Sequence, residues 1–128
     1  MTTNVIRSKD CGNSPKNRLV EDFTVALAIG DSKGVSRLVT DDVEWVIAGG
    51  RKMVGVAEVT RAVDDARPAR PYSVTIDHVM SHGKLGAASG SVQSGDEAYL
   101  FCNVIEFSNA RATAVRRITT YRVQRADR

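Results

Sequence analysis

The apolar positions of this chain follow two periods, helical and strand, and from near residue 68 only the strand period remains. In "SPKNRLVEDFTVALAIG", Leu19, Val20, Phe23, Ala26 and Leu27 recur at helical spacing and give one apolar face. Ser14 suits the N-cap, Pro15 the first helical position and Gly30 the C-terminal stop, so a helix is predicted between them. A second, short helix is expected from Asp31, with Val35, Leu38 and Val39 turned inward. In "DDVEWVIAGG", Val43, Trp45 and Ile47 alternate with Glu44, Val46 and Ala48, which predicts a strand closed by a Gly49–Gly50 loop. Helical spacing returns in "GVAEVTRAVDDA" through Val56, Val59, Ala62, Val63 and Ala66, until Pro68 and Pro71 stop it.

From there the pattern is strand throughout. "YSVTIDHVM", "KLGAASGSVQ", "AYLFCNVIEF" and "TAVRRITTYRVQ" are separated by the short turns "SHG", "SGDE" and "SNARA". Consecutive strands on short turns predict an antiparallel meander. Glycines thin the second of them and allow it to bend. The order helix, helix, strand, helix, then four strands defines an α+β domain. Three N-terminal helices would wrap one face of a curved antiparallel sheet and enclose an apolar pocket. A length of 128 residues suits one such domain. We expect it to span residues 14–124, with a disordered polar tail over 1–13 and a short tail over 125–128.

The strand "AYLFCNVIEF" poses the sharpest chemical question. Asn103 shares a face with Tyr99, Phe101, Ile105 and Phe107. A buried amide without partners costs roughly 1–3 kcal/mol, so Asn103 needs either a structural partner or a ligand. It is the first candidate for a pocket-floor donor to a carbonyl or hydroxyl. Trp45, the single tryptophan, is a candidate pocket wall, as are Tyr99 and Phe101. His78 would share the face of Val74 and Ile76 and could act as acid or base, while Asp77 points the other way. Arg116 and Arg117 point to opposite faces of the last strand, and Arg117 is the one carried as a pocket candidate.

The opposite face of the same strand carries Ala98, Leu100, Cys102 and Val104 before Glu106 breaks the run. A sheet covered on one face should alternate apolar with polar. Something is therefore expected to cover this second face. A homodimer contact through Leu100, Cys102 and Val104 is the reading we carry forward.

Composition changes little. Lys and Arg exceed Asp and Glu by 18 to 15, and much of that excess lies in the last strand and tail, which reads as a solvated face rather than a nucleic-acid site. Cys11 and Cys102 fall in unlike settings and form no CxxC pair, which points to reduced thiols and a cytoplasmic protein. The N-terminus has no apolar core of a signal peptide and no stretch approaches a membrane span. His78 and His82 have no metal-ligand companions in sequence, so neither a metal nor a cofactor is expected. "AGGRKMVG" matches no phosphate-binding glycine spacing, and no nucleophile elbow is present.

Three local patterns carry a resemblance. They are "FTVALAIGD" ending the first helix, "LVTDDVEWVIAGG" leading into the first strand, and "GVAEV" opening the third helix after "MV". In these the chain resembles the nuclear-transport-factor-2-like superfamily, which includes ketosteroid isomerases, SnoaL-like polyketide cyclases and limonene-epoxide hydrolases. The resemblance implies a cystatin-like cone with an internal pocket and, on its outer sheet face, a dimer contact. It does not imply one chemistry, since this fold hosts many. The isomerases' phenol donor corresponds here to Phe23, their general base to Ile47, and their second, acidic donor to Asn103. Phenol and base are thus absent, and one donor is kept as an amide. The hydrolases' Asp-Arg-Asp arrangement finds no convincing counterpart here, although Asp77 and Arg117 lie on strands.

The expectation is therefore a SnoaL-like protein that binds a small apolar molecule without the isomerase acid–base set. One alternative is an isomerase, cyclase or hydrolase on a small or polyketide-like substrate, with Asn103 as electrophile and His78 or Asp77 as proton carrier. The other is a dimeric interaction module.

Overall fold

A computed structural model of the chain describes residues 3–8, 14–67, 72–109, 111 and 113–125. The elements run β1 (Thr3–Ile6), α1 (Pro15–Ile29), α2 (Ser32–Arg37), β2 (Val39–Ile47), β3 (Lys52–Val54), α3 (Val56–Asp65), β4 (Tyr72–His82), β5 (Leu85–Ser94), β6 (Glu97–Phe107) and β7 (Val115–Gln124). Pro68, Pro71, Cys11 and the last three residues of the C-terminal tail, expected above to stop a helix, to stay reduced and to fray, lie outside the described residues.

Local chemistry places the helices as the sequence predicts. Ser14 caps α1 by accepting from the Asn17 N–H, and Pro15 opens it. Gly30 ends it at φ 76°, where its N–H reaches the Ala26 carbonyl. A side chain at Gly30 would be strained in that conformation and would also meet Arg67 Cβ at 2.7 Å. Asp31 then caps α2 by accepting from the Gly34 N–H.

The described strands form one curved, unclosed sheet in the order β1-β4-β5-β6-β7-β2-β3. The run β4 to β7 is the expected antiparallel meander. The whole sheet is mixed, however, because β2 pairs with β7 and β1 with β4 in parallel. Two strands were not expected. β3 lies in what reads as loop, after Gly49 turns the chain at φ 77° and lets Lys52–Val54 pair back onto β2. β1 lies within the stretch read as a disordered tail. Its register is Thr3 opposite Tyr72 through Ile6 opposite Thr75, and Val5 packs against the cluster of Tyr72 and Val74. Just beyond it, Arg7 Nη1 and the Ser8 N–H both donate to the buried carboxylate of Glu21, at 3.0 and 2.8 Å. A buried charge needs such partners, so this segment is held by chemistry that its polar composition conceals.

Two further features shape the sheet. The pairing of β4 with β5 shifts register between Ile76 and His78, which makes Asp77 the extra residue of a bulge. Opposite it, Gly90 pairs with Ile76, and a Cβ there would stand 2.0 Å from the Thr75 carbonyl oxygen. Only glycine permits that close approach. The core divides into two clusters. The larger joins α1, α2 and α3 to β2, β6 and β7 around Phe23, Phe107 and Ile118, and the smaller joins α1 to β4, β5 and β6 around Val74 and Phe101.

Candidate functional site

A cavity of about 70 Å³ opens between the two clusters, lined by Leu27, Ala28, Trp45, Ala66, Tyr99, Phe101, Asn103, Thr120 and Arg122. Strand register builds its floor. Asn103 on β6 pairs with Thr120 on β7, and Thr120 pairs in turn with Ile47 on β2, beside Trp45. Alternation then turns Tyr99, Phe101 and Asn103 to the inner face together, and Thr120 with Arg122 beside them.

The polar groups on this floor form a directed chain. Trp45 Nε1–H donates to Thr120 Oγ1 at 2.9 Å, and Thr120 Oγ1–H donates to Asn103 Oδ1 at 2.6 Å. The direction follows from valence. An indole nitrogen only donates, so the threonine oxygen accepts from it and has one hydrogen to pass on. That hydrogen needs an acceptor, which fixes the amide with its oxygen toward Thr120. Asn103 is 4% exposed, and its Nδ2 has no protein partner among the described residues. It is also not among the fully enclosed side-chain atoms that lack a partner. The Nδ2 hydrogens are therefore reachable from the cavity. Asn103 is both of the things its sequence context allowed, a structural acceptor and an uncommitted donor.

At the rim, the Arg122 guanidinium carbon lies 5.7 Å from the centre of the Tyr99 ring. Burial raises the Tyr99 phenol above its ordinary pKa, and the charge of Arg122 opposes part of that rise. Among the described lining residues there is no carboxylate and no imidazole.

The structure brings together four of the sequence-predicted residues: Asn103, Trp45, Tyr99 and Phe101. The others lie elsewhere. Phe23 is fully buried in the larger core cluster rather than at the cavity. Ile47 is half-buried against that same cluster. Arg117 is on the outer side of the sheet, paired with Glu44 at 3.4 Å and Glu106 at 3.6 Å. Glu106 also takes Arg116 at 3.1 Å, so both arginines serve one outer ion-pair network across a register shift in β7. His78 does not share the face of Val74 and Ile76. The bulge at Asp77 reverses the alternation, so that Val79 turns inward and His78 outward, where its Nδ1 stands 3.2 Å from Ser89 Oγ. Asp77 is exposed. Neither can reach the cavity floor from there.

Thr120 and Arg122 were not expected at the site. Their signal is the alternation Ile118, Thr120, Arg122, which puts them on one face once β7 is registered against Asn103. Cys102 on the outer face is a free thiol. That face leaves Leu100 42%, Tyr121 50% and Val123 64% exposed, with Leu100 directly opposite Val123 and Cys102 opposite Tyr121. Among the described residues no helix is long and apolar enough to cross a membrane.

A helix-wrapped curved sheet with a pocket between sheet and helices defines the α+β, cystatin-like class of protein. Within it, residues 20–128 match the model of the SnoaL-like domain, and the chain belongs to that family. Solved structures agree in fold. A candidate ketosteroid isomerase of Kribbella flavida superposes with a TM-score of 0.72 at 18% identity, covering 88% of this chain and 81% of its own. An NTF2-like protein of unknown function from Cytophaga hutchinsonii gives 0.72 at 20% identity, over 84% and 99%. An LEH-like epoxide hydrolase of M. tuberculosis gives 0.67 at 18%, over 84% and 82%. At such identities the likeness is one of fold. No curated protein matches the chain.

Proposed function

We propose that this SnoaL-like protein binds a small molecule with an apolar body and a hydrogen-bond acceptor, oriented by the Asn103 amide. One observation carries the reading: Thr120 commits the amide oxygen, while the Nδ2 donor stays open to the cavity. Leu27, Ala28 and Phe101 supply the apolar wall. A donor set of this kind fixes orientation in small-molecule sites. The volume argues for a ligand of few heavy atoms, because about 70 Å³ is far below the roughly 300 Å³ at which drug-sized sites begin.

Binding is favoured over acid–base catalysis. An amide does not exchange protons usefully near neutral pH, and the described lining offers neither carboxylate nor imidazole to do so. The alternative, an isomerase, cyclase or hydrolase using His78 or Asp77, requires groups that stand on the other side of the sheet or exposed at its bulge. The exposed Leu100, Tyr121 and Val123 support a second part of the reading, a homodimer through the outer sheet face that also covers Cys102 and Val104. We place the protein in the cytoplasm with reduced thiols.

A thermal-shift screen of small ketones and lactones tests the binding function on the parent and on Asn103→Leu. The expected result is a dose-dependent rise in Tm for the parent that the variant loses. If no compound raises the Tm of the parent, the cavity is only core.

A further inference from the structure

We infer that the acceptor this cavity takes is an anion, a short-chain carboxylate whose charged end meets Arg122 and Asn103. The inference rests on the binding function proposed above and narrows it to one class of ligand. It begins from the polar groups left over once the internal bonds are made. Trp45 Nε1–H, Thr120 O–H and Asn103 Oδ1 satisfy one another. Beyond that chain, the cavity lining carries Asn103 Nδ2, the Arg122 guanidinium and the Tyr99 hydroxyl, which itself hydrogen-bonds Arg122. Two of these three groups can only donate, and one is permanently positive.

The charge is not neutralised from within. Arg122 has no ion-pair partner among the described residues, whereas the nearby Arg116 and Arg117 share Glu106 and Glu44 on the opposite face. No carboxylate lines the cavity among the described residues. Arg122 is also placed rather than free. It stands on the inner face opposite Phe101 and is held over the Tyr99 ring. A guanidinium fork presented at the rim of an apolar cavity matches a carboxylate, which accepts two parallel N–H bonds. Arg122 is exposed, so its charge reaches the cavity from the solvent-facing rim.

Size completes the argument. A cavity of about 70 Å³ has room for only a few waters and is far below a drug-sized site. A carboxylate with a short alkyl chain fills it, with the chain against Leu27, Ala28 and Phe101. A neutral ketone or amide of the same shape could accept from the same donors but would bring no negative charge to pair with Arg122.

Propionate and its neutral isostere propionamide test this directly, by titration calorimetry with Trp45 fluorescence as a second readout, at matched ionic strength. Propionate should bind the parent at least tenfold more tightly than propionamide. Arg122→Gln should remove that preference by weakening propionate far more than propionamide, and Arg122→Lys should restore part of it. Circular dichroism confirms that each variant is folded. Equal binding of the two probes, or a preference that survives Arg122→Gln, overturns the anion assignment and leaves the binding function standing. No binding of either probe, together with a negative ketone and lactone screen, overturns both.

Discussion

Thr120 Oγ1 lies 2.6 Å from Asn103 Oδ1, and this contact decides which end of the Asn103 amide faces the cavity. Because Thr120 also accepts from Trp45, its one hydrogen must go to the amide oxygen. The contact joins adjacent strands, and the relay through Trp45 ties β2 to the same point. The site is therefore built into the sheet and not carried on a loop.

Breaking this relay should cost stability in a coupled way. Thr120→Val leaves the indole N–H and the Asn103 oxygen unpaired, and should destabilise by about 1–3 kcal/mol. Asn103→Leu leaves the threonine hydrogen unpaired at similar cost. The double variant should lose less than the sum, since the orphaned groups are then shared. Urea denaturation of the four proteins measures the coupling, and strict additivity would show that the chain of bonds does not act as a unit.

Removing His78 should matter little. Its ring is exposed, with Nδ1 3.2 Å from the Ser89 hydroxyl. His78→Ala should stay within about 0.5 kcal/mol of the parent and leave ligand affinity unchanged. A loss of binding would mean that the Asp77 bulge does not turn the ring outward in solution.

Gly90 should tolerate no side chain. A Cβ would sit 2.0 Å from the Thr75 carbonyl oxygen, which is backbone and cannot swing away. Gly90→Ala should destabilise by about 2–4 kcal/mol, or prevent soluble expression. Gly49→Ala provides a contrast, with open space around it but a left-handed φ of 77°. It should cost only about 1 kcal/mol or somewhat more. Thermal melts of both variants check the difference in cause.

Charges on the outer face should keep the chain monomeric. Leu100 and Val123 are cross-strand partners, 42% and 64% exposed, and Tyr121 lies beside them. Sedimentation at micromolar concentration should find the parent dimeric and Leu100→Glu with Val123→Glu monomeric and folded. A monomeric parent would remove the dimer from the account.

Much of the fold was legible because its signals are local. Ser14, Pro15 and Gly30 bound the first helix through hydrogen bonds that close within a turn, and alternation in "AYLFCNVIEF" assigned both faces of β6. What escaped depends on contacts between distant segments. β1 pairs with β4 and is anchored where Glu21 receives Arg7 and Ser8, contacts between residues far apart in sequence that no periodicity in a polar stretch records. His78 was misplaced because alternation was carried through a bulge that Asp77 and Gly90 make between two strands. At the site, Asn103 drew notice as a polar residue among apolar ones, whereas Thr120 and Arg122 sit in a strand already polar on both faces. Only the register of β7 against β6 separates them from their neighbours.

The central claim is that the Asn103 Nδ2 hydrogens are a ligand's donor. The most direct measurement follows the side-chain amide signal of Asn103 by NMR during titration with the tightest-binding compound of the ketone and lactone screen or of the carboxylate titrations. The account predicts a saturable downfield shift of one of the two Nδ2 protons, tracking the calorimetric affinity and absent from Asn103→Leu spectra. An Asn103 signal that stays fixed while backbone signals elsewhere saturate would contradict it.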